Sequence, residues 1–350
     1  MISYSLNKDQ FSDFINLYHG VFFPLKNFVN QKEFLEILNK KRIRQNFFPF
    51  PIFFGINKKI YKKIEKENHI NLYYKKKNLA LVKVIQLYKI DKKKFGKKIY
   101  GNKFKFHPYF KKFNKENYAF LSFKLLKTRK KNLRHYNFVS PLNFKEKVLG
   151  QKKLTLAGFH TRNVPHSAHQ WAHNYMIKKY KRVLLQPLVG QYKLGEYLDN
   201  IIIKSNKVAS EMYVKGTAFF TPYFSYPRYA GPREAALHAI VRKNYGCTHF
   251  WVGRDHAGYK NFFSKYDSQK FCKKNQKRLR IKIIAQKEPF FCYGCNKIVN
   301  TKCMKKKCNN SMKETISGTK IRNFIKKNKK IPSYLMNKKI SSILNNKSLI

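Results

Sequence analysis

The stretch Gly158-Phe159-His160-Thr161-Arg162-Asn163-Val164-Pro165-His166-Ser167-Ala168-His169 decides the fold of this chain. The apolar run 154–157 before it predicts a short buried strand. Apolar residues at three- and four-residue steps after it predict an amphipathic helix. The stretch therefore joins the end of a strand to the start of a helix, where free backbone N–H groups and the helix dipole favour an anion. An arginine and two histidines three residues apart lie there, so the sequence predicts a phosphate-binding corner.

A second phosphate-binding loop is predicted far downstream, at Ile316-Ser317-Gly318-Thr319-Lys320-Ile321-Arg322. It combines a hydroxyl-rich turn, the start of a helix and two cations. Two histidines at a helix start are often capping or surface residues, and a short motif alone is weak evidence. However, a His-x-x-His corner followed by an Ile-Ser-Gly-Thr-x-x-Arg loop resembles the nucleotidylyltransferase superfamily, in which both loops embrace the phosphates of ATP.

The region 151–260 alternates predicted strands and helices. This alternation predicts a parallel, doubly wound α/β sheet. In such sheets ligands bind outside the carboxyl ends of the strands, where 158–169 and 253–258 both lie. The further strands are predicted at 183–189, 217–220 and 248–252, and the further helices at 206–213 and from Pro232 to near Gly246.

The N-terminal residues 1–140 predict a small β-rich domain without a catalytic constellation. Alternating apolar segments at 79–84 and 118–123 are separated by turns rich in lysine and asparagine. The patch Phe48-Pro49-Phe50-Pro51-Ile52 is typical of the entry to a strand at the edge of the core, where proline is tolerated. Ser140-Pro141-Leu142 is interpreted as a linker to the next domain.

The bulk composition excludes several classes of protein. A length of 350 residues allows two or three domains. The 76 Lys+Arg against 17 Asp+Glu give a net charge of +59, which would suit a polyanion partner. The charge is scattered along a chain that is also rich in asparagine, phenylalanine, isoleucine and tyrosine, so we expect no specific nucleic-acid partner. The most apolar segment, 47–56, is too short for a membrane span, and no signal-peptide pattern opens the chain; we expect a cytoplasmic protein.

All six cysteines follow residue 246, and four of them lie close together at Cys292, Cys295, Cys303 and Cys308. Four thiolates suit a closed tetrahedral site for structural Zn²⁺ in a reducing compartment. Free buried thiols or an iron–sulfur cluster are the alternatives. Cys247 and Cys272 are interpreted as ordinary thiols.

Several blocks together resemble the ATP sulfurylase (sulfate adenylyltransferase) family, and the resemblance covers nearly the whole chain. They are Thr161-Arg162-Asn163 with His166-x-x-His169, 187–190, 229–235, 242–250, 252–258 and the Ser-Gly-Thr loop. The resemblance implies that ATP and sulfate react to give adenosine 5′-phosphosulfate and pyrophosphate, by direct in-line attack of sulfate on the α-phosphorus. A nucleotidylyltransferase with another acceptor is the nearer alternative, and a zinc-ribbon nucleic-acid-binding protein the more distant one.

The resemblance also implies an architecture and a set of partners. A PUA-like β-rich domain would span 1–150, a Rossmann-like catalytic domain 151–285, and a segment carrying a zinc ribbon and the Ser-Gly-Thr loop 286–350. MgATP and sulfate would be the substrates, and the enzyme would be a homo-oligomer. One departure from the family is His160, where most members have glutamine. Compared with the glutamine amide, the imidazole has a shorter reach for hydrogen bonding and can carry a positive charge.

The family's site residues transfer to this chain as follows. The implied catalytic residues are Thr161, Arg162, Asn163, His166 and His169. The implied sulfate-binding residues are His160, Arg162, Arg254 and Ala257. The implied nucleotide-binding residues are His160, Thr161, Arg162, Asn163, Gly253, Arg254, Asp255, His256, Ser317, Thr319 and Arg322.

Overall fold

The computed structural model describes residues 2–133, 138–150, 154–190, 194–300, 308 and 310–350. The chain forms two compact units, and each is discontinuous in sequence. Unit 1 comprises Met1–Gln151, Pro227–Gly246 and Asp255–Ile281, and unit 2 comprises Lys152–Tyr226, Cys247–Arg254 and Lys282–Ile350. The predicted boundaries at 150 and 285 stay predictions. Over the described residues, no helix is both long enough and apolar enough to cross a bilayer.

The N-terminal part of unit 1 is built on a mixed sheet. Its strand order is β1-β5-β6-β7-β4, with β1 parallel to β5 and the other neighbours antiparallel. The strands are β1 (Ile2–Ser5), β2 (Arg42–Ile43), β3 (Asn46–Phe47), β4 (Phe54–Ile56), β5 (His69–Tyr74), β6 (Lys77–Tyr88) and β7 (Ala119–Thr128), and the helices are α1 (Lys8–Tyr18), α2 (Gln31–Lys40), α3 (Lys58–Ile64), α4 (Lys92–Tyr100), α5 (Pro108–Glu116) and α6 (Pro141–Phe144).

The predicted strands at 79–84 and 118–123 are confirmed within β6 and β7, but the sequence reading missed the helices of this part. Its asparagine- and lysine-rich segments were interpreted as turns, whereas Asn7, Asn30 and Asn57 each cap a helix by accepting a backbone N–H. Asparagine is favoured at both positions, in turns and at helix N-termini, so composition alone does not separate them.

The structure also bears on the linker predicted at Ser140 and on the strand entry predicted at 48–52. The linker at Ser140 is wrong: Ser140 caps α6, and Phe144 is buried against Tyr245 with ring centroids 5.8 Å apart. A serine followed by proline at the first helical position is a helix start as well as a turn. The phenylalanine–proline patch does lead into a strand, β4. Its Pro49 carbonyl accepts a hydrogen bond from Arg233, 3.2 Å away within the same unit.

The second half of the chain supplies unit 2 and the remaining helices of unit 1. The strands are β8 (Ala157–Phe159), β9 (Val183–Leu185), β10 (Leu188–Val189), β11 (Ala218–Phe220), β12 (Tyr223–Phe224), β13 (His249–Val252), β14 (Lys282–Ala285), β15 (Phe290–Cys292), β16 (Lys297–Val299) and β17 (Lys313–Thr315). The helices are α7 (Ser167–Tyr180), α8 (Asp199–Glu211), α9 (Gly231–Asn244), α10 (Asp267–Lys274), α11 (Gln276–Leu279), α12 (Gly318–Lys326) and α13 (Lys338–Ser341).

The predicted parallel sheet is confirmed in unit 2. Its order is β11-β9-β8-β13-β14, and every neighbouring pair is parallel. The carboxyl ends of β8 and β13 therefore lie side by side, each followed by a predicted ligand-binding loop. A smaller antiparallel sheet, ordered β16-β15-β17, carries the cysteine segment.

Three element boundaries differ from the prediction. The first strand begins at Ala157 and not at residue 154, because pairing with β9 and β13 starts only there. The predicted strand 183–189 is two strands, since Pro187 has no N–H to continue the ladder. Helix α8 begins at Asp199, seven residues before the predicted start at 206; the Asp199 carboxylate accepts the Gly190 N–H at 2.8 Å.

Candidate active site

The loop that follows β8 in unit 2 holds the predicted catalytic trio in a fixed turn. The Thr161 carbonyl accepts the Leu188 N–H at 2.7 Å, which continues the edge of the sheet past β8. The Thr161 hydroxyl accepts the Asn163 N–H at 3.0 Å. Thr161 is buried, whereas Arg162 and Asn163 are half-buried. The turn thus presents one arginine and one amide at the end of the strand.

The two motif histidines lie at the start of α7. The His166 side chain caps the helix, because its Nδ1 accepts the His169 backbone N–H at 3.4 Å, and this bond places the ring proton on Nε2. The His166 and His169 rings stack with centroids 3.7 Å apart. Burial lowers the pKa of His166 to about 4, and burial together with the charges of His166 and His173 lowers the pKa of His169 well below its ordinary value. Both histidines are therefore neutral at pH 7 and can offer N–H donors without charge.

The second predicted loop meets the first one in unit 2. Ser317 caps α12 by accepting the Lys320 N–H at 3.2 Å. Arg322, on the first turns of that helix, donates from Nη1 to Asn163 Oδ1 at 2.9 Å and from Nη2 to Thr319 Oγ1 at 3.2 Å. The backbone approaches closely as well: a Cβ on Gly318 would lie 2.9 Å from Asn163 Oδ1. Two motifs 159 residues apart thus form one polar surface.

Arg254 and Gly253 follow β13, the strand next to β8. Arg254 Nη1 lies 2.8 Å from Glu288 Oε2, and both side chains are about a third exposed. The guanidinium is a permanent cation with a planar set of donors, which suits a tetrahedral oxyanion. Because the histidines are neutral, they add no positive charge to that of the arginines at this end of the sheet.

The next three predicted residues belong to unit 1. His256 is buried, with its Nε2 3.0 Å from His238 Nδ1, and its carbonyl accepts the Ser268 hydroxyl at 2.8 Å. Ala257 has a φ of 58°, in the left-handed region that residues other than glycine rarely adopt. Its carbonyl accepts the Gly231 N–H at 2.9 Å. Asp255 packs directly against Gly258, where an added Cβ would lie 1.9 Å from Asp255 Oδ1.

The cysteine segment brings three thiols together in unit 2. The sulfur atoms of Cys292, Cys295 and Cys308 all lie within 4.8 Å of one another, and the last two are 3.4 Å apart. Four thiolates around Zn²⁺ at about 2.3 Å are about 3.8 Å apart, so the set fits this ion. A Cβ on Gly294 would lie 2.8 Å from Cys308 Sγ, which explains the glycine in the knuckle. The fourth predicted ligand, Cys303, lies outside the described residues.

The remaining two cysteines are buried thiols in different units. Cys247 and Cys272 carry no disulfide, and both are less than a tenth exposed. Burial also raises the pKa of Cys272, which keeps its thiol protonated. Their interpretation as ordinary thiols is confirmed.

Sequence reasoning missed two carboxylates of unit 2 that contact predicted site residues, and a buried histidine on the helix of His166 and His169. Glu288 pairs with Arg254, and Glu196 Oε2 lies 3.5 Å from Arg322 Nη1. His173, buried on α7, has its Nδ1 3.1 Å from the Tyr213 hydroxyl, and burial lowers its pKa to about 3. The spacing of His173 from His166 and His169, seven and four residues, marks one helix face and could have been noticed. Nothing in the sequence marks the two carboxylates.

Comparison with known proteins identifies related families over nearly the whole chain. The sequence model of the ATP-sulfurylase family matches residues 137–347, and that of the PUA-like domain matches residues 1–125. The chain is 32% identical to the sulfate adenylyltransferase of Ignicoccus hospitalis, covering 96% of this chain and 88% of that one. It is 34% identical to the sulfate adenylyltransferase of Pyrococcus abyssi, with 93% and 85% covered.

A solved structure shares the fold. The hexameric APS kinase from Thiobacillus denitrificans superimposes with a TM-score of 0.75 at 15% identity. The match covers 98% of this chain and 62% of that one, so this chain spans less than two thirds of its length. At this identity the likeness is one of fold alone.

Proposed function

This chain belongs to the ATP-sulfurylase family, and we infer from the relatives and from its site that it is a sulfate adenylyltransferase. It is a nucleotidyltransferase that converts ATP and sulfate to adenosine 5′-phosphosulfate and pyrophosphate. The observation that carries this inference is the meeting of the two phosphate loops, in which Arg322 donates to Asn163 at 2.9 Å. Sulfate and nucleotide binding by individual residues are proposals that rest on this geometry.

The reaction proposed for this site needs no covalent intermediate. An oxygen of sulfate attacks the α-phosphorus of ATP in line, the bond from that phosphorus to the bridging oxygen breaks, and pyrophosphate leaves with the electron pair. The protein supplies position and charge stabilisation. The nucleotide substrate is MgATP, and the Mg²⁺ that it carries would supply charge screening for the pyrophosphate.

We propose a role for each group of residues in unit 2. Arg162 contacts both reactants, since it is the middle residue of the trio in the turn that follows β8. The neutral imidazoles of His166 and His169 donate N–H groups to the phosphates, and this suits their buried, uncharged state. Arg254 binds sulfate. The Ser-Gly-Thr loop binds phosphate, with Ser317 and Thr319 hydroxyls and the Arg322 guanidinium as donors, next to the α12 N-terminus.

The unit 1 residues take the roles implied by the family. We propose that the Ala257 backbone, held at a positive φ, binds sulfate. We propose nucleotide contacts for Asp255 and His256, and separately for Gly253 of unit 2. We propose the same for His160, whose ring centroid lies 6.5 Å from that of Tyr223 in unit 2.

We also propose that the cysteine segment binds one structural Zn²⁺, with Cys303 as the fourth ligand of Cys292, Cys295 and Cys308. The converging sulfur atoms support this, and a full set of four thiolates leaves no open position for catalysis. The metal would hold β15 and β16 to the segment before β17. A homo-oligomer and a cytoplasmic location remain further expectations; light scattering of the purified protein tests the first.

The decisive experiment is a rate of pyrophosphate release from MgATP with and without sulfate. We expect release to require sulfate and to be matched by formation of the adenylyl sulfate in equal amount. Equal release in both conditions would indicate a different acceptor. An Arg162→Ala variant serves as the control for contaminating activity.

A further inference from the structure

The contact between Arg254 and Glu288 follows from the sheet of unit 2. Strands β13 and β14 are parallel and paired in register, with Val252 opposite Ala285. Arg254 stands two residues beyond the end of β13 and Glu288 three residues beyond the end of β14. The segments that follow β13 and β14 leave the sheet at the same edge. Their side chains meet there, with Nη1 of Arg254 2.8 Å from Oε2 of Glu288.

A carboxylate here does not serve to attract the substrate. The chain contains 17 acidic residues against 76 basic ones, and one of the acidic residues contacts an arginine proposed to bind a dianion. Its charge repels sulfate at this distance. Nor does the pair stabilise the fold appreciably, because the Arg254 and Glu288 side chains are 38% and 35% exposed, and ion pairs so exposed contribute about 0–1 kcal/mol.

The geometry of the contact offers a different role. Within the part of the chain that the structure describes, the ion pair of Arg254 is made through Nη1, and the edge formed by Nε and Nη2 lies on the opposite side of the guanidinium. A guanidinium has five N–H donors in one plane, so an anchor on one side fixes the direction of the others. An unanchored, partly exposed arginine would lose rotamer freedom on binding its anion, and this lowers affinity.

We propose that Glu288 is a positioning residue for sulfate: it holds the Arg254 guanidinium so that the edge formed by Nε and Nη2 faces the anion. This rests on the proposed role of Arg254 in sulfate binding. Glu288 touches neither substrate nor the reacting atoms, and its effect passes through the orientation of the arginine. The expected signature is therefore a change in the KM for sulfate with little change in kcat or in the KM for ATP.

The test uses the full-length protein and three substitutions. Glu288→Gln removes the charge and keeps the shape, Glu288→Ala removes the anchor, and Glu288→Asp keeps the charge on a shorter side chain. We expect the KM for sulfate to rise about tenfold in the alanine variant, less in the glutamine variant, and kcat to stay within about threefold. Glu36→Gln is the matched control, because Glu36 pairs with Arg42 at 2.9 Å in unit 1 and is similarly exposed.

A double-mutant comparison separates positioning from a general effect. In an Arg254→Ala background, Glu288→Ala should raise the KM for sulfate no further, since the residue through which it acts is gone. A lower KM for sulfate in Glu288→Gln would overturn the proposal and make the carboxylate a competitor of sulfate. An unchanged KM would overturn it as well. If Arg254→Ala itself leaves the KM for sulfate unchanged, the proposed sulfate site fails, and that outcome is distinct from failure of Glu288 alone.

Discussion

Replacing Gly318 with alanine tests whether contact between the two phosphate loops matters for catalysis. The added Cβ would lie 2.9 Å from Asn163 Oδ1 and 3.0 Å from its Cγ, closer than such contacts normally are. The Asn163 amide must shift, and the 2.9 Å hydrogen bond that it accepts from Arg322 is stretched or lost. A hydrogen bond to a charged partner contributes about 1.5–3 kcal/mol. We therefore expect kcat to fall by roughly 10- to 150-fold.

The fold should not suffer from this substitution. Gly318 is the first residue of α12 and its φ is not in the left-handed region, so alanine is compatible with the backbone there. Alanine also favours a helix more than glycine does. The melting temperature, followed by circular dichroism, should stay level or rise. A fall in kcat would then reflect the site and not unfolding.

The assay is the initial rate of pyrophosphate release at saturating MgATP and sulfate. The matched control is the same substitution in an Asn163→Ala background, where the added methyl group meets no amide. In that background Gly318→Ala should lower kcat by less than about twofold. Wild-type turnover in Gly318→Ala, or an equal loss in both backgrounds, would refute the reasoning that Asn163 and Arg322 act together.

Three further predictions address the charges, the metal and the buried histidines. Arg162→Ala should lower both kcat and the affinity for sulfate, whereas Arg254→Ala should lower chiefly the affinity, and each should reduce kcat/KM by about 10²–10³. Lysine at either position should restore little of the initial rate. Wild-type kinetics in both alanine variants would exclude this strand edge as the active site. Elemental analysis should find about one zinc per chain, and chelation should increase hydrogen exchange in 290–300 before the parallel sheet opens; metal-free protein of full stability would contradict this. Burial lowers the pKa of His166 to about 4 and of His173 to about 3, so below pH 6.5 the unfolded state binds protons that the folded state does not. The free energy of unfolding should fall by about 2 kcal/mol per histidine between pH 6.5 and 5 in denaturant titrations. His173→Phe should lower the number of protons taken up on unfolding by about one.

Much of the second half of the chain could be predicted because its signals are local. The strand at 248–252 and the helix from Pro232 to near Gly246 correspond to β13 and α9 in the structure. Periodicity and a proline at the first turn are properties of short segments, and tertiary contacts did not override them. The helices of the N-terminal part of unit 1 were missed, because asparagine is favoured both at helix caps and in turns.

The sequence by itself determined the reaction class, through motifs whose residue types and order are particular to one family. It also predicts that the two loops bind phosphate, because each combines a helix start with cations or hydroxyl groups. Only the tertiary structure decided which groups touch. Asn163 and Arg322 are brought together across 159 residues, and Glu288 reaches Arg254 because β13 and β14 are paired in parallel. No local periodicity or motif predicts either contact. The partner of a side chain that follows a strand depends on strand order and register, which are set by the tertiary structure.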